Sequence, residues 1–492
     1  MFLKVKKSEL SAGRPVAILN EKTADKISIH VNDRILIKKN SKKIIAVLDL
    51  TKKMADGNEI SLSTEITDYL KLKKGEKVEI SITAKPRAVQ LIDKKLSGKR
   101  LNKEEIYTII KSIVSNALTE AEIAFFVSAV YKCGMSLEET AWLTEAMLKT
   151  GKKLNLKNKI IVDKHSVGGV PGNRTTPIVI PICASAGLVM PKTSSRAITS
   201  ASGTADTIET IAKVEFTINE VKKIINKVGA CMIWGGSLGL APADDKIIQV
   251  ERLLNLDPEP QLLASIMAKK LAVGSKYLLI DIPYGENSKV TKKQALKLKR
   301  NFEKLALYFK IKIKCVLTRG NEPIGNGIGP ILEMRDIISV FRGNGPKDLK
   351  DKSIFLAAQI LEMTGKTKKG QGIKMAEEIL YSGKAFKKFK EIIKAQKGNP
   401  DNIYNILKLA KFSHDIRASR NCKIHSIDNR QINMLARFSG SPADKSAGIY
   451  LYKHVGERAK KGEKLLTIYA ESEPELKNAI DFYRKNKIII VK

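Results

Sequence analysis

The chain has 492 residues, 43% of them apolar, which is enough for several buried cores, since one core rarely grows past roughly 250–300 residues. With 88 Lys+Arg against 51 Asp+Glu it carries a formal charge of +37, a field that draws in polyanions such as nucleic acid, nucleotides or phosphate. Its five cysteines form no CxxC pair, and its most apolar run, Thr175 to Pro191, contains prolines and is too short to span a bilayer. A disulfide frame, a cysteine zinc site and a membrane-spanning protein are therefore disfavoured.

Residues 1–84 form the first compositional block. Stretches such as KISIHVNDRILIKK, KIIAVLDLT and EKVEISITA are β-branched with charged gaps, which predicts a small β-rich domain. The start, MFLKVKKSELSAGRP, lacks an apolar signal core, so a cytoplasmic location is expected. From residue 85 to 158 the apolar spacing becomes helical, with Thr119 and Ser136 as N-caps and Gly134 and Gly151 as stops. A segment near 243–272 is again helical and is expected to return to this bundle. Residues 159–242 and 273–414 alternate strands and helices, the pattern of a central α/β domain with a mixed or largely parallel sheet. Residues 415–492 contain short strands and are expected to form a β-rich α+β lobe. The fold class is thus α/β and multi-domain.

Lysines are spread along the whole chain and aromatics are only 5%. A nucleic-acid-binding protein would concentrate its charge and add exposed aromatics, so no nucleic-acid partner is expected. A lysine-rich surface set by genome composition or growth conditions accounts for the charge equally well.

Three segments carry chemistry. The first, DKHSVGGVPGNRTT from Asp163 to Thr176, follows a strand and precedes a helix. Its glycines let backbone approach an anion, the helix start offers free N–H groups, Lys164 adds a charge, and Ser166 and Thr176 add hydroxyls. Its spacing is not that of a P-loop. The second, SSRAITSASGTAD from Ser194 to Asp206, packs hydroxyls and one arginine between another strand and helix. A solvated loop stitched by Ser/Thr turns would look the same locally, but its apolar flanks place it at the strand ends of a buried sheet. The third runs LDPEPQLLASIMAKK, in which Ser265 and Lys269 lie four apart on one helix face and Asp257 precedes them. Asp257 taken alone reads as a helix cap.

The runs DKHSVGGV, SSR…GTAD, APADDK…ER, SIMAKK and PIGNGIGPILEMRDII resemble the thymidine/pyrimidine-nucleoside phosphorylase family, over residues from about 88 to 492. VPGNRTT, SSRAITS, LDPEPQ and the additional N-terminal domain are most similar to the branch of that family acting on nucleoside 5′-monophosphates. The resemblance implies that AMP, and by extension CMP or UMP, reacts with inorganic phosphate to give the free base and ribose 1,5-bisphosphate. It also implies a helical domain facing an α/β domain across a closing cleft, assembly as at least a dimer, and no cofactor or metal, phosphate being a co-substrate.

Carried over by position, Lys164, Ser166, Thr176, Ser194 and Thr204 match phosphate ligands. Gly169, Ser195, Arg196, Ala197, Ile198, Thr199, Ser200, Thr204, Ser265 and Lys289 match AMP-binding positions. Asp257 matches the proton donor, and Arg252 and Lys269 match base contacts of the pyrimidine enzymes. The family's glycine-and-histidine run after the second-loop arginine is here Ala197 to Ser202, with hydroxyls in place of the histidine. Short donors suit a second phosphate better than a bare 5′-hydroxyl. The chain between Arg252 and Ser265 is shorter than the pyrimidine pattern, which shifts attention from Arg252 to Asp257.

As general acid Asp257 needs a pKa above the ordinary value of about 3.9. His165 is expected to be structural, because phosphate has no proton to lose in this reaction. Asp244 and Asp245 fall in the family's APAD segment, which has no metal role. Three alternatives stand beside this reading: a thymidine or pyrimidine nucleoside phosphorylase, a magnesium-dependent anthranilate phosphoribosyltransferase-like enzyme, and a basic nucleic-acid-binding protein.

Overall fold

A computed structural model describes residues 1–7, 9–83, 85–156, 160–197, 200–401 and 403–492. The chain divides into two compact units, Met1–Gly151 with Ala241–Ser265, and Lys152–Leu240 with Ile266–Lys492.

The first unit opens with a closed barrel. Its strands are β1 (Phe2–Lys7), β2 (Val16–Asn20), β3 (Arg34–Lys39), β4 (Lys42–Thr51), β5 (Glu59–Leu62) and β6 (Lys77–Ile82), in the order β1-β5-β2-β4-β3-β6. β1 and β5 pair in parallel, as do β2 and β4. Closure leaves no free sheet edge, and alternate residues such as Leu19, Ile35, Ile37, Leu48 and Ile60 fill the interior. The helices Lys103–Val114, Glu120–Cys133 and Leu137–Thr150 follow. Each starts with a capping box: Asn102 with Glu105, Thr119 with Glu122, and Ser136 with Glu139. Gly134 and Gly151 are the C-caps of the last two. Glu139 also pairs with Lys95 at 2.8 Å, both side chains being buried.

The segment of the third motif that belongs to this unit is Ala241–Ser265. The helix Glu259–Ala272 continues past it into the second unit, where Lys270 Nζ reaches Asp163 Oδ2 at 2.7 Å. The sequence-based boundaries at 84 and at 158/159 fall on residues outside those described.

The second unit is built on a parallel sheet. β7 (Val162–Ser166) and β11 (Lys312–Arg319) flank β10 (Tyr277–Tyr284), while β8 (Met190–Ser194) pairs with β9 (Ala230–Trp234). The parallel bridge Ile161–Val189 joins the two sets, so every described pairing in this sheet is parallel. β7, β8 and β10 consequently end on the same side, where the loops that follow them collect. The core beneath contains Ile178, Ile180, Ile182, Met232, Leu279, Ile337 and Leu356.

β12 (Gly327–Ile328) leaves this region to join an antiparallel sheet with β13 (Phe412–Arg417), β15 (Gly448–Leu451) and β17 (Lys464–Ala470), in the order β12-β15-β17-β13, while β14 (Cys422–Ile427) pairs with β16 (Arg458–Ala459). The C-terminal lobe is thereby tied to the α/β part by main-chain hydrogen bonds. All five cysteines are unpaired. Among the described residues no helix is long and apolar enough to cross a membrane.

Candidate active site

The first loop begins where β7 ends. Lys164 is buried, and its Nζ donates to Thr175 Oγ1 at 2.7 Å and Thr176 Oγ1 at 3.3 Å. The latter two residues stand at the start of the helix Thr176–Ser185. Burial pushes the Lys164 ammonium down to about 8, with Lys352 and Arg174 adding to the effect and Asp281 opposing it. Ser166 Oγ donates to Asp281 Oδ2 at 3.1 Å. Gly168 and Gly169 both have positive φ, 92° and 86°. At Gly169 a Cβ would lie 2.7 Å from the backbone nitrogen of Lys289, so only glycine allows the two segments to meet. Lys289 itself is exposed on the segment following β10.

The second loop follows β8. Ser194 Oγ donates to the carbonyl of Ile233 at 3.2 Å. Asp206 organises the turn: its Oδ2 accepts from Ala197 N at 2.7 Å and Gly203 N at 2.8 Å. A Cβ on Gly203 would meet Ser195 O at 2.6 Å, so the loop folds tightly back on itself there. Ser200 Oγ donates to Ser202 O at 2.9 Å, and Thr204 opens the helix Thr204–Glu209.

The Arg196 guanidinium is held by Glu209, at 2.5 and 2.7 Å, and by Glu215, at 2.9 Å, and it lies 5.0 Å from the ring centroid of Trp234. The hydrogen bonds it donates to Glu209 and Glu215 raise its pKa, and Arg196 in turn depresses Glu209 to about 2. Its charge therefore anchors the loop through two carboxylates. Ile198 and Thr199 lie outside the described residues.

One side chain joins the loops. Arg174, in the first, donates from Nη2 to the carbonyl of Ser202, in the second, and its Nε donates to Glu333 Oε2 at 2.6 Å. Glu333 also accepts from Thr207 Oγ1 at 2.9 Å. Burial raises the Glu333 pKa, and Arg174 with the neighbouring hydroxyls opposes that rise. Thus Lys164, Ser166, Gly169, Thr176, Ser194, Ser195, Arg196, Ala197, Ser200, Thr204 and Lys289 all belong to one loop cluster at the carboxyl ends of one sheet.

The remaining site candidates occupy the third motif. Arg252 is exposed in the last turn of the helix Pro242–Leu254. Asp257 is exposed in the short connection ahead of the helix Glu259–Ala272. That helix carries Ser265, whose Oγ donates to the buried Asp244 at 3.0 Å, and Lys269 in its last turn.

His165 is half-buried. Burial, together with Lys270, Lys192, Lys164 and Lys269, holds its pKa well below the ordinary range, so the imidazole is neutral. Sequence reasoning passed over several residues that shape the cluster. Asp281 was signalled only as a lone carboxylate inside the apolar strand LLIDIPY. Asp206 and Glu333 sit in quoted motifs, but nothing local marked them as loop anchors. Lys192 donates to the Lys164 carbonyl at 2.8 Å and had no readable signal.

Comparison with known proteins finds matches along nearly the whole chain. Residues 89–151 match the helical bundle domain of a glycosyl transferase family, 158–274 its a/b domain, and 423–489 a pyrimidine nucleoside phosphorylase C-terminal domain. The chain is 43% identical to an AMP phosphorylase of Thermococcus kodakarensis over 491 residues, covering 99% of this chain and 97% of the relative. It is 46% identical to one of Pyrococcus horikoshii, with 99% and 97% covered, and 42% identical to one of Methanococcus aeolicus, with 99% and 96% covered. Anthranilate phosphoribosyltransferase from Thermus thermophilus shares the fold, with a TM-score of 0.54 at 17% identity, over 63% of this chain and 99% of that one. Identity of this level along nearly the whole length, together with the loop cluster, means that the chain belongs to the AMP phosphorylases of the thymidine/pyrimidine-nucleoside phosphorylase family.

Proposed function

We propose that this chain catalyses the phosphorolysis of nucleoside 5′-monophosphates, converting AMP and inorganic phosphate to adenine and ribose 1,5-bisphosphate, with CMP and UMP as further substrates. The observation that carries the proposal is the hydrogen bond from Arg174 to the Ser202 carbonyl, which sets two anion-suited loops side by side. One loop can hold the attacking phosphate and the other the substrate's own phosphate ester.

In this reading Lys164, Ser166, Thr176, Ser194 and Thr204 hold inorganic phosphate below C1′. Gly169, residues 195–200, Thr204, Ser265 and Lys289 hold AMP. With Arg196 held by Glu209 and Glu215, and Ala197 N and Gly203 N by Asp206, the proposed donors to the ester are mainly the hydroxyls of the second loop. Positioning both reactants removes much of the entropic barrier. A phosphate oxygen forms the new bond to C1′ as the bond from C1′ to N9 breaks, through a transition state of oxocarbenium character that the anion stabilises. The bonding pair leaves with adenine, which takes a proton at N7 from Asp257. Lys269 and Arg252 are the proposed base contacts. The proposal includes a homodimer or larger homo-oligomer, a cytoplasmic location, and no cofactor or metal besides the phosphate co-substrate.

The test is to incubate the protein with AMP, CMP, UMP and the matching nucleosides, with and without phosphate, and to identify the sugar product by mass spectrometry. Ribose 1,5-bisphosphate formed only from monophosphates, unaffected by a chelator, supports the reading. Ribose 1-phosphate from nucleosides assigns the chain to nucleoside phosphorolysis instead.

A further inference from the structure

Beneath the first loop lies a buried pair of opposite charges that the proposed chemistry does not itself require. Asp281, in the middle strand β10, is fully buried, and the strand register sets it beside Ser166. Its Oδ2 accepts from Ser166 Oγ at 3.1 Å and lies 3.1 Å from Lys352 Nζ, while its Oδ1 accepts from Thr318 Oγ1 at 2.6 Å. Lys352 comes from the helix Lys347–Met363, and its ammonium has no other hydrogen bond among the described residues. A buried ion pair is weak as a source of stability, because desolvation offsets most of the attraction, and an apolar pair of similar size packs at least as well. Its position directly under two phosphate-suited groups calls for a functional account.

We infer that Asp281, with Lys352 as its counter-ion, is the positioning residue for the phosphate-holding groups Ser166 and Lys164. The inference rests on the phosphorolysis reading and deepens it. A hydroxyl can point its hydrogen or its lone pairs at a ligand. Ser166 donates to Asp281 and accepts from Asn173 Nδ2 at 3.4 Å, so its hydrogen is committed and one lone pair is left to receive the proton of a monohydrogen phosphate. The rotation of the seryl group is thereby selected before phosphate arrives.

The same carboxylate acts on Lys164 through charge. Lys164 is faced by Asp281 from β10, Lys352 from the helix Lys347–Met363, Lys192 from β8, Arg174 from its own loop, Asp163 and His165 from its own strand, and the hydroxyls of Thr175 and Thr176. After burial, which pushes the ammonium toward neutrality, Asp281 is the strongest influence, and it favours the charged form. Lys352 works the other way. The pair therefore sets how far into alkaline pH Lys164 keeps its charge. The carboxylate remains ionised because Lys352, Lys164 and Thr318 outweigh its own burial, so its pKa is lowered.

The experiment compares wild type, Asp281→Asn and Lys352→Met by kcat/KM for inorganic phosphate and for AMP between pH 6.5 and 9.5, with thermal unfolding as a check on folding. Wild-type kcat/KM for phosphate, which reports the free enzyme, should decline as pH rises through about 8. In Asp281→Asn the decline should move to lower pH, and KM for phosphate should rise roughly tenfold with KM for AMP within about twofold. In Lys352→Met the decline should move to higher pH. Opposite displacements are the signature of charge, since a loss of packing would move both variants alike. Unmoved profiles, or displacements in the same direction, overturn the inference. If Asp281→Asn fails to fold, the direction seen in Lys352→Met decides alone. A wild-type protein without phosphate-dependent AMP cleavage refutes the functional reading itself, and is distinguished from failure of the inference by that first measurement.

Discussion

Arg174 and Glu333 lie 159 residues apart and form an ion pair of 2.6 Å, with Glu333 buried and the other end of the guanidinium on the Ser202 carbonyl. This one side chain connects the first loop, the second loop and the helix Pro330–Phe341. It supplies a rigid link between the two loops, as the proposed two-phosphate site requires.

Arg174→Met should therefore leave a buried carboxylate unpaired and cost about 3–5 kcal/mol in urea unfolding. The pH dependence has a definite sign. The Glu333 pKa is already raised by burial, and loss of Arg174 raises it further. The folded variant then holds a proton that the unfolded chain releases above about pH 4.5, so its stability falls as pH rises and is partly recovered in acid. A variant destabilised equally at pH 5 and pH 8 would refute the ion-pair account.

Gly168 and Gly169 separate conformational strain from steric exclusion. Both have positive φ, but a Cβ at Gly168 meets nothing within 4 Å, whereas one at Gly169 lies 2.7 Å from Lys289 backbone. Gly168→Ala should cost roughly 1–2 kcal/mol of stability with activity largely kept. Gly169→Ala should displace Lys289 and lower kcat/KM for AMP by about 100-fold. Equal kinetic effects from the two substitutions would remove the Gly169–Lys289 contact from the account of the site.

Asp257→Asn should retain AMP binding, measured by equilibrium dialysis, and lose turnover by about 10²–10⁴-fold, the usual range for a general acid. Unchanged turnover would take Asp257 out of the mechanism.

His454 reports on the loop that supports the first glycine turn. Its ring contacts Glu322 and Asn326 at 3.1 Å each, and the neighbouring Ile324 N donates to Pro171 O at 3.0 Å. Burial lowers the His454 pKa, but the hydrogen bond to Glu322 and the charges of Asp348, Glu322 and Glu457 outweigh it, so the net shift is upward. A raised folded-state pKa gives stability that is fully present below the unfolded value of about 6.5 and is lost as pH rises through the folded value. Wild type should exceed His454→Gln by about 1 kcal/mol at pH 5.5, with the gap closing toward pH 9. A pH-independent gap would contradict this.

Much of the loop cluster was legible because its signals are local. A strand, paired glycines, hydroxyls and a helix start follow one another within the run from Asp163 to Thr176, and again from Ser194 to Asp206. Helix ends could be read for the same reason, since Thr119 and Ser136 each bond within three residues. The role of Arg196 was less legible. Its position beside hydroxyls suggested an anion contact, but Glu209 and Glu215, downstream on the same stretch of chain, claim its guanidinium.

The order of residues by itself determined where backbone can approach an anion, which segments form strands or helices, and which family the motifs resemble. All of these depend on interactions within a turn or two of the chain. Only the tertiary structure decided that Asp281 lies under Ser166 from 115 residues away, that Glu333 fixes Arg174, and that Lys289 meets Gly169. The physical reason is that burial of apolar surface is non-directional. It drives the strands together without naming their neighbours, and the parallel order β11-β10-β7 then dictates which distant polar groups share one buried space and must satisfy one another.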